Sequence, residues 1–229
     1  MALSYPAPEL SDDVVRLRRW DESDLECVKE ASTDSRIPQG TTVPPSFTTE
    51  LGLAFIERQW SRADAGEGIS LTVADARTNE ARGLAILLVR PQPGVVGIGY
   101  WVVPRARGRG LATRAVDLLS RWALAEAGIA RVEAWVEPQN TASQRVLAVA
   151  GFSREGVLRS FLTYPTGGLT LSCSHGQPTT PSLASDLRRS APASRREGNV
   201  SVRRLHTPAP DESRSDGTLP RTIPFGADE

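Results

Sequence analysis

The sequence predicts an α/β fold: a mixed central sheet flanked by helices, followed by a disordered C-terminal tail. Three observations carry this. Between residues 12 and 166, strand-like and helix-like apolar periods alternate in the order β-α-α-β-β-β-α-β-α-β. One of those strands runs through an arginine- and glycine-rich loop directly into a helix. Beyond about residue 175 the chain turns to Ser, Pro, Arg and Thr, as in Ser190–Asn199, and such a segment has too little apolar surface to offset the entropy of ordering it. The expected organisation is a flexible lead over 1–11, one folded domain over 12–166 and a disordered tail over 167–229, with no internal repeats.

Val14–Trp20 reads as the first strand, from its β-branched start and partial alternation. Asp21–Ser32 follows as a helix with acids in its first turn. Pro38, Pro44 and Pro45 break the chain before Thr48-Thr49-Glu50 opens a second amphipathic helix carrying Leu53, Phe55, Ile56 and Trp60. Ile69–Ala74 and Leu84–Val89 form a hairpin-like pair through Thr78-Asn79-Glu80, and Val95–Val103 is a third strand ended by Pro104. The next helix presents Leu111, Ala115, Leu118, Leu119 and Trp122 to the core and stops near Gly128. Val132–Glu137 is a strand, Thr141–Ala150 a short helix ended by Gly151, and Phe152–Phe161 the last strand.

Composition removes several function classes. The 229 residues carry 27 Lys+Arg and 27 Asp+Glu, a formal net charge of zero, so no general attraction to nucleic acid or an anionic membrane is expected. No apolar run reaches the ~20 residues of a membrane span, and the first residues lack the basic and apolar regions of a secretory leader, so a cytoplasmic location is expected. The 2 cysteines, Cys27 and Cys173, are too far apart for a CxxC metal site and read as free thiols. The 2 histidines, His175 and His206, fall in the segment expected to be unstructured, so the chemistry is expected to proceed without imidazole or metal. The tryptophans at 20, 60, 122 and 135 read as core residues that could also line a pocket.

The most informative stretch is Arg105-x-x-Gly108-x-Gly110 at the mouth of a helix. First-turn amides have no acceptor within a helix, and the helix dipole adds partial positive charge there, so the position favours an anion. Gly108 and Gly110 let the backbone bend into a nest of N–H groups, while Arg105, Arg107 and Arg109 add donors suited to phosphate oxygens. A dinucleotide-binding turn is excluded by Thr113 where a third glycine or alanine belongs, and no P-loop is present. A pyrophosphate is the fitting ligand.

Ile98–Val103 before that loop, Arg131-Val132-Glu133 and Asn140–Leu147 after it, then Gly151-Phe152 and Arg154-Glu155-Gly156, together resemble the GNAT superfamily of acyl-CoA-dependent N-acetyltransferases, in its RimJ/RimL-like branch. The resemblance covers about 12–165 and implies a GNAT-like mixed sheet. It implies acetyl-CoA as acyl donor, with Val102 and Val103 pairing with the pantetheine arm and Arg105, Gly108, Arg109, Gly110, Leu111 and Ala112 around the diphosphate. By the same resemblance Asn140 contacts the cofactor arm, and Ser143 donates a proton to the leaving thiolate. Both also suit plain helix capping. The acceptor would be a primary amine, either a protein N-terminus or a small molecule, entering through the segment around 32–50. A homodimer stays open.

Attack on a thioester requires a neutral amine, and the carboxylates beside the loop that could take its proton are Glu133 and Glu137, two residues of one strand face. Leu147 stands where related enzymes carry a tyrosine acid, and Ser160-Phe161-Leu162-Thr163 stands where a glutamate is found. An acyl-CoA-binding module without catalysis is the rival reading. The last strand of such domains is reduced to Leu169–Cys173, which suggests a replaced C-terminus that leaves neighbouring strands without a partner.

Overall fold

The computed structural model describes residues 3–164 and 167–176. The chain order is β1 (Leu10–Ser11), β2 (Val15–Arg18), α1 (Leu25–Ser32), α2 (Ile37–Gly40), α3 (Thr49–Asp64), β3 (Gly68–Asp75), β4 (Ala81–Val89), β5 (Val95–Val102), α4 (Leu111–Ala125), β6 (Arg131–Val136), α5 (Thr141–Val149), β7 (Phe152–Tyr164) and β8 (Gly167–Gly176). The mixed α/β architecture is the expected one. The strands form one sheet in the order β1-β2-β3-β4-β5-β6-β8-β7. All neighbours are antiparallel except β5 and β6, which run parallel because α4 crosses over between them.

Burial follows position in the sheet. β3 and β4 lie mid-sheet and are buried along most of their length, in β3 including the polar Ser70 and Thr72, whereas β6 alternates, with Val132, Ala134 and Val136 buried and Glu133 and Trp135 half-buried. Trp101 of β5 packs against Trp20 and Phe55 of α3, with ring centroids 6.1 and 6.4 Å away. Its neighbour Tyr100 reaches Ser143 of α5 instead. Adjacent strand residues point to opposite faces, so α3 and α5 cover opposite sides of the sheet. The buried stripe of α4 is Leu111, Ala115, Val116, Leu119, Ser120 and Ala123; Leu118 and Trp122, expected in the core face, are only partly buried.

Two ends differ from expectation. Residues 3–11 do not form a loose lead: Leu3 is buried, the Tyr5 hydroxyl donates to Gln59 O, and Leu10–Ser11 pair with β2. Apolar side chains between prolines gave no periodic signal, although they cover the core. At the other end, the sheet continues past residue 166. Ten residues, Gly167–Gly176, insert as β8 between β6 and β7, so these strands do have a sheet partner. Alternation in this segment is masked by glycine and serine, and pairing with two strands at once stabilises what its composition does not. The rest of the expected tail, with His206, lies outside the described residues. Among the described residues no helix is long and apolar enough to cross a membrane.

A buried ion pair anchors the start of α1. Arg18 donates to both carboxylate oxygens of Asp24, at 2.8 and 2.7 Å, and Asp24 also accepts from Asp21 N–H and the Thr72 hydroxyl. The remaining Arg18 donors reach Asn79 and Arg19 O, so neither charge is left unsatisfied.

Candidate active site

β5 and β6 are bonded neighbours only at Val95–Arg131, Val96–Val132 and Gly97–Glu133, and then they part. On their outer sides both remain paired, β5 with β4 as far as Val102 and β6 with β8 as far as Val136. A wedge-shaped gap therefore opens between two parallel strands. Strand alternation decides which atoms line it. Val95 O accepts from Arg90 N–H and Val103 N–H donates to Arg82 O, both on the β4 side, so the odd-numbered main-chain groups are taken. The main-chain groups of Ile98, Tyr100 and Val102 face the gap. Of the two valines expected to hold a cofactor arm, Val102 thus presents its N–H to the gap and Val103 does not.

The gap ends at the loop. A 3-10 turn, Pro104–Ala106, leads to Gly108 and Gly110, with φ of +74° and +76°. Both glycines have open space where a Cβ would stand, so backbone conformation and not crowding demands them. Gly110 precedes α4 with no side-chain cap, and the first helical bond is Arg114 N–H to Gly110 O at 3.1 Å. The N–H groups of Leu111, Ala112 and Thr113 consequently have no acceptor within the helix, and they carry the positive end of its dipole.

The three loop arginines are not equivalent. Arg105 binds Glu30 and Glu80, at 2.6 and 2.8 Å, and its own N–H donates to Glu30. Arg107 donates through Nε to Val102 O at 3.0 Å and pairs with Asp34 at 2.8 Å. Arg109 is exposed and makes no ion pair among the described residues.

Beyond the gap, Asn140 caps α5 by accepting from Ser143 N–H at 3.1 Å. The capping role considered from sequence is therefore present. Ser143 O accepts a 3.1 Å hydrogen bond from the Tyr100 hydroxyl, whose pKa burial pushes up to about 12. Tyr100 was legible only as part of a motif; nothing in its spacing marks it as the link between β5 and α5. Leu147 is a core residue at 1% exposure.

The two candidate carboxylates occupy different surroundings. Glu133 sits where the strands part and is engaged by Arg90 at 3.2 Å and Arg131 at 3.4 Å. Arg90 also stacks 3.8 Å above the Trp135 ring, and a Cβ at Gly97 would collide with its guanidinium. Glu137 lies past the end of β6 and is exposed, with no ion pair among the described residues. In register, His175 of β8 stands opposite Glu133, so an imidazole-bearing residue belongs to the sheet, contrary to the expectation that both histidines lie outside it. Trp20 is buried, while Trp60, Trp122 and Trp135 are half-buried. A separate cavity of about 570 Å³, lined by Trp20, Asp24, Asn79 and Glu80, reaches the loop only through Arg105. Among the described residues no cluster of three His, Cys, Asp or Glu is placed to hold a metal ion.

Compared with known proteins, residues 15–153 match the family model described as acetyltransferase (GNAT) domain. The match covers more than half of the chain and defines an acetyltransferase (GNAT) domain, and the chain belongs to the GNAT acetyltransferase family. It is 44% identical over 62 residues to the probable N-acetyltransferase YjcK of Bacillus subtilis (strain 168), a match that spans 27% of this chain and only 34% of that protein. It is 24% identical over 146 residues to the uncharacterized N-acetyltransferase p20 of Bacillus licheniformis, covering 63% of this chain and 82% of that one. Among solved structures it is similar to Mycobacterium smegmatis RimJ in complex with CoA-disulfide, with a TM-score of 0.62 and 21% identity over 73% of this chain and 84% of the other.

Proposed function

We propose that the protein transfers an acetyl group from acetyl-CoA to a primary amine, by direct attack within a ternary complex. The observation that carries this reading is the gap between β5 and β6, along which the Tyr100 main chain and the Val102 N–H face inward and lead straight to the unsatisfied amides of Leu111, Ala112 and Thr113. An extended amide-bearing arm suits the strand edge, and a diphosphate suits the helix mouth. Gly108, Gly110, Leu111 and Ala112 would enclose the diphosphate through their main chain, with Arg109 as its charged side-chain partner. Arg105 would support the loop through Glu30 and Glu80.

For the chemical step, Val102 N–H is aimed into the gap and would donate to the thioester oxygen as negative charge develops there. Glu137, which holds no ion pair among the described residues, is the carboxylate open to accept the amine proton; Glu133 holds the strands at their point of divergence through Arg90 and Arg131. The Ser143 hydroxyl, on the first turn of α5, would return a proton to the departing thiolate, and the Asn140 amide, while capping α5, would also touch the arm. A protein N-terminal amine is the acceptor we favour over a small-molecule amine, since a protein of similar fold is described as a ribosomal L7/L12 alpha-N-protein acetyltransferase. The test is thiol release from acetyl-CoA with a panel of N-terminal peptides and small amines. Peptide-dependent release supports the reading; tight CoA binding with no release on any amine would instead indicate a binding module.

A further inference from the structure

We infer that Arg107 is a positioning residue that holds the segment from Asp34 to Val43 in register with the open edge of β5, and is not a phosphate ligand; this rests on the function proposed above. Its guanidinium has two separate partners. Nε donates to Val102 O, a gap-facing carbonyl, at 3.0 Å, and Nη2 pairs with Asp34 at 2.8 Å. The Asp34 side chain is only 9% exposed, against 48% for Arg107.

From Asp34 the connection continues through bonded atoms. Asp34 Oδ1 accepts the N–H groups of Arg36 and Ile37, both at 2.9 Å. Ile37 O accepts the Thr41 hydroxyl at 2.6 Å, and Thr41 Oγ1 in turn accepts Val43 N–H at 3.2 Å. Ile37 and Val43 are buried at 5% and 2% exposure, so this segment is seated on the core and indexed by Asp34. Burial opposes ionisation of Asp34, but the two N–H groups and Arg107 outweigh it and hold the carboxyl below the ordinary aspartate range. Arg105 offers the contrast within the same loop: its partners are Glu30 and Glu80, and it bonds no atom of the gap. One guanidinium thus joins the strand edge that would carry the thioester arm to the segment past which an amine would approach. A lysine can hold Asp34 but has no planar fork with which to reach Val102 O at the same time.

The experiment compares the wild type, Arg107→Ala, Arg107→Lys and Asp34→Asn in CoA affinity, amide hydrogen exchange over residues 35–43, and steady-state kinetics with acetyl-CoA and the best amine of the panel. Arg107→Ala is expected to leave CoA affinity within about threefold, speed exchange over 35–43 by about tenfold, and raise the amine KM by about tenfold with the acetyl-CoA KM little changed. Arg107→Lys should recover part of both effects, and Asp34→Asn should reproduce them. A loss of CoA affinity of about tenfold in Arg107→Ala with unchanged exchange would make Arg107 a phosphate ligand and overturn the inference. Unchanged exchange and amine KM in Arg107→Ala would overturn it equally. If the wild type binds no CoA, the proposed function fails instead, and the exchange difference still reports on the strut.

Discussion

The hydroxyl of Tyr100, on β5, donates a 3.1 Å hydrogen bond to the main-chain oxygen of Ser143 in the first turn of α5. A side chain from one rim of the gap thereby sets the height of the helix that would present Asn140 and Ser143. Tyr100→Phe removes that bond and keeps the ring, so urea unfolding should show a loss of about 1 kcal/mol. The phenol also gives this variant a pH signature. Its pKa rises from 10.0 in the unfolded chain to about 12 in the fold, so the unfolded state loses the proton first and stability falls as pH climbs between those values. Denaturation midpoints at alkaline pH should therefore decline less steeply in Tyr100→Phe than in the wild type.

Gly108 has φ of +74° with empty space around its Cα, so Gly108→Val acts by forcing the loop out of its conformation and not by collision. The left-handed region costs a β-branched residue about 1–3 kcal/mol, which the loop can relieve only by moving its amides. CoA should raise the melting temperature of the wild type and raise that of Gly108→Val much less. An equal shift in both proteins would mean that the loop does not bind the diphosphate.

Glu133 and Glu137 should separate cleanly on substitution. Removing a general base costs about 10²- to 10⁴-fold in rate, so Glu137→Gln should lower kcat by a factor in that range. Glu133→Gln removes the Glu133 ion pairs with Arg90 and Arg131 where β5 and β6 part, while Arg131 keeps Glu155, and should act first on unfolding midpoint. The opposite pattern, with kcat collapsing in Glu133→Gln alone, would transfer the role of base to Glu133.

Asp24 is 4% exposed and satisfies Arg18, Thr72 and Asp21 together. Asp24→Ala strands a buried guanidinium and should destabilise the fold by about 3–5 kcal/mol in chemical denaturation. Replacing both partners with apolar residues should recover part of that loss.

Apart from the four-residue α2, where Pro38 reads as a breaker although it sits in the first turn, the strands and helices between residues 14 and 161 were legible because each is a local pattern: alternation in Val132–Glu137, a helical stripe in Leu111–Trp122, and a breaker at Pro104. The helix mouth was legible for the same reason, since Arg105-x-x-Gly108-x-Gly110 states its conformational needs within six residues. Local patterns say nothing of which charges meet. Arg105, Arg107 and Arg109 look alike in sequence, yet the fold gives the first to Glu30 and Glu80, the second to Asp34 and Val102, and leaves only the third exposed without an ion pair among the described residues.

By itself, then, the chain's periodicity determined the α/β architecture, and its glycine spacing determined where an anion could rest. Tertiary structure alone decided that β5 and β6 part after Gly97, that Glu133 is engaged while Glu137 is open, and that Gly167–Gly176 completes the sheet. The reason is physical: backbone conformation depends on neighbours a few residues apart, whereas ion pairing and strand insertion depend on residues brought together from distant parts of the chain.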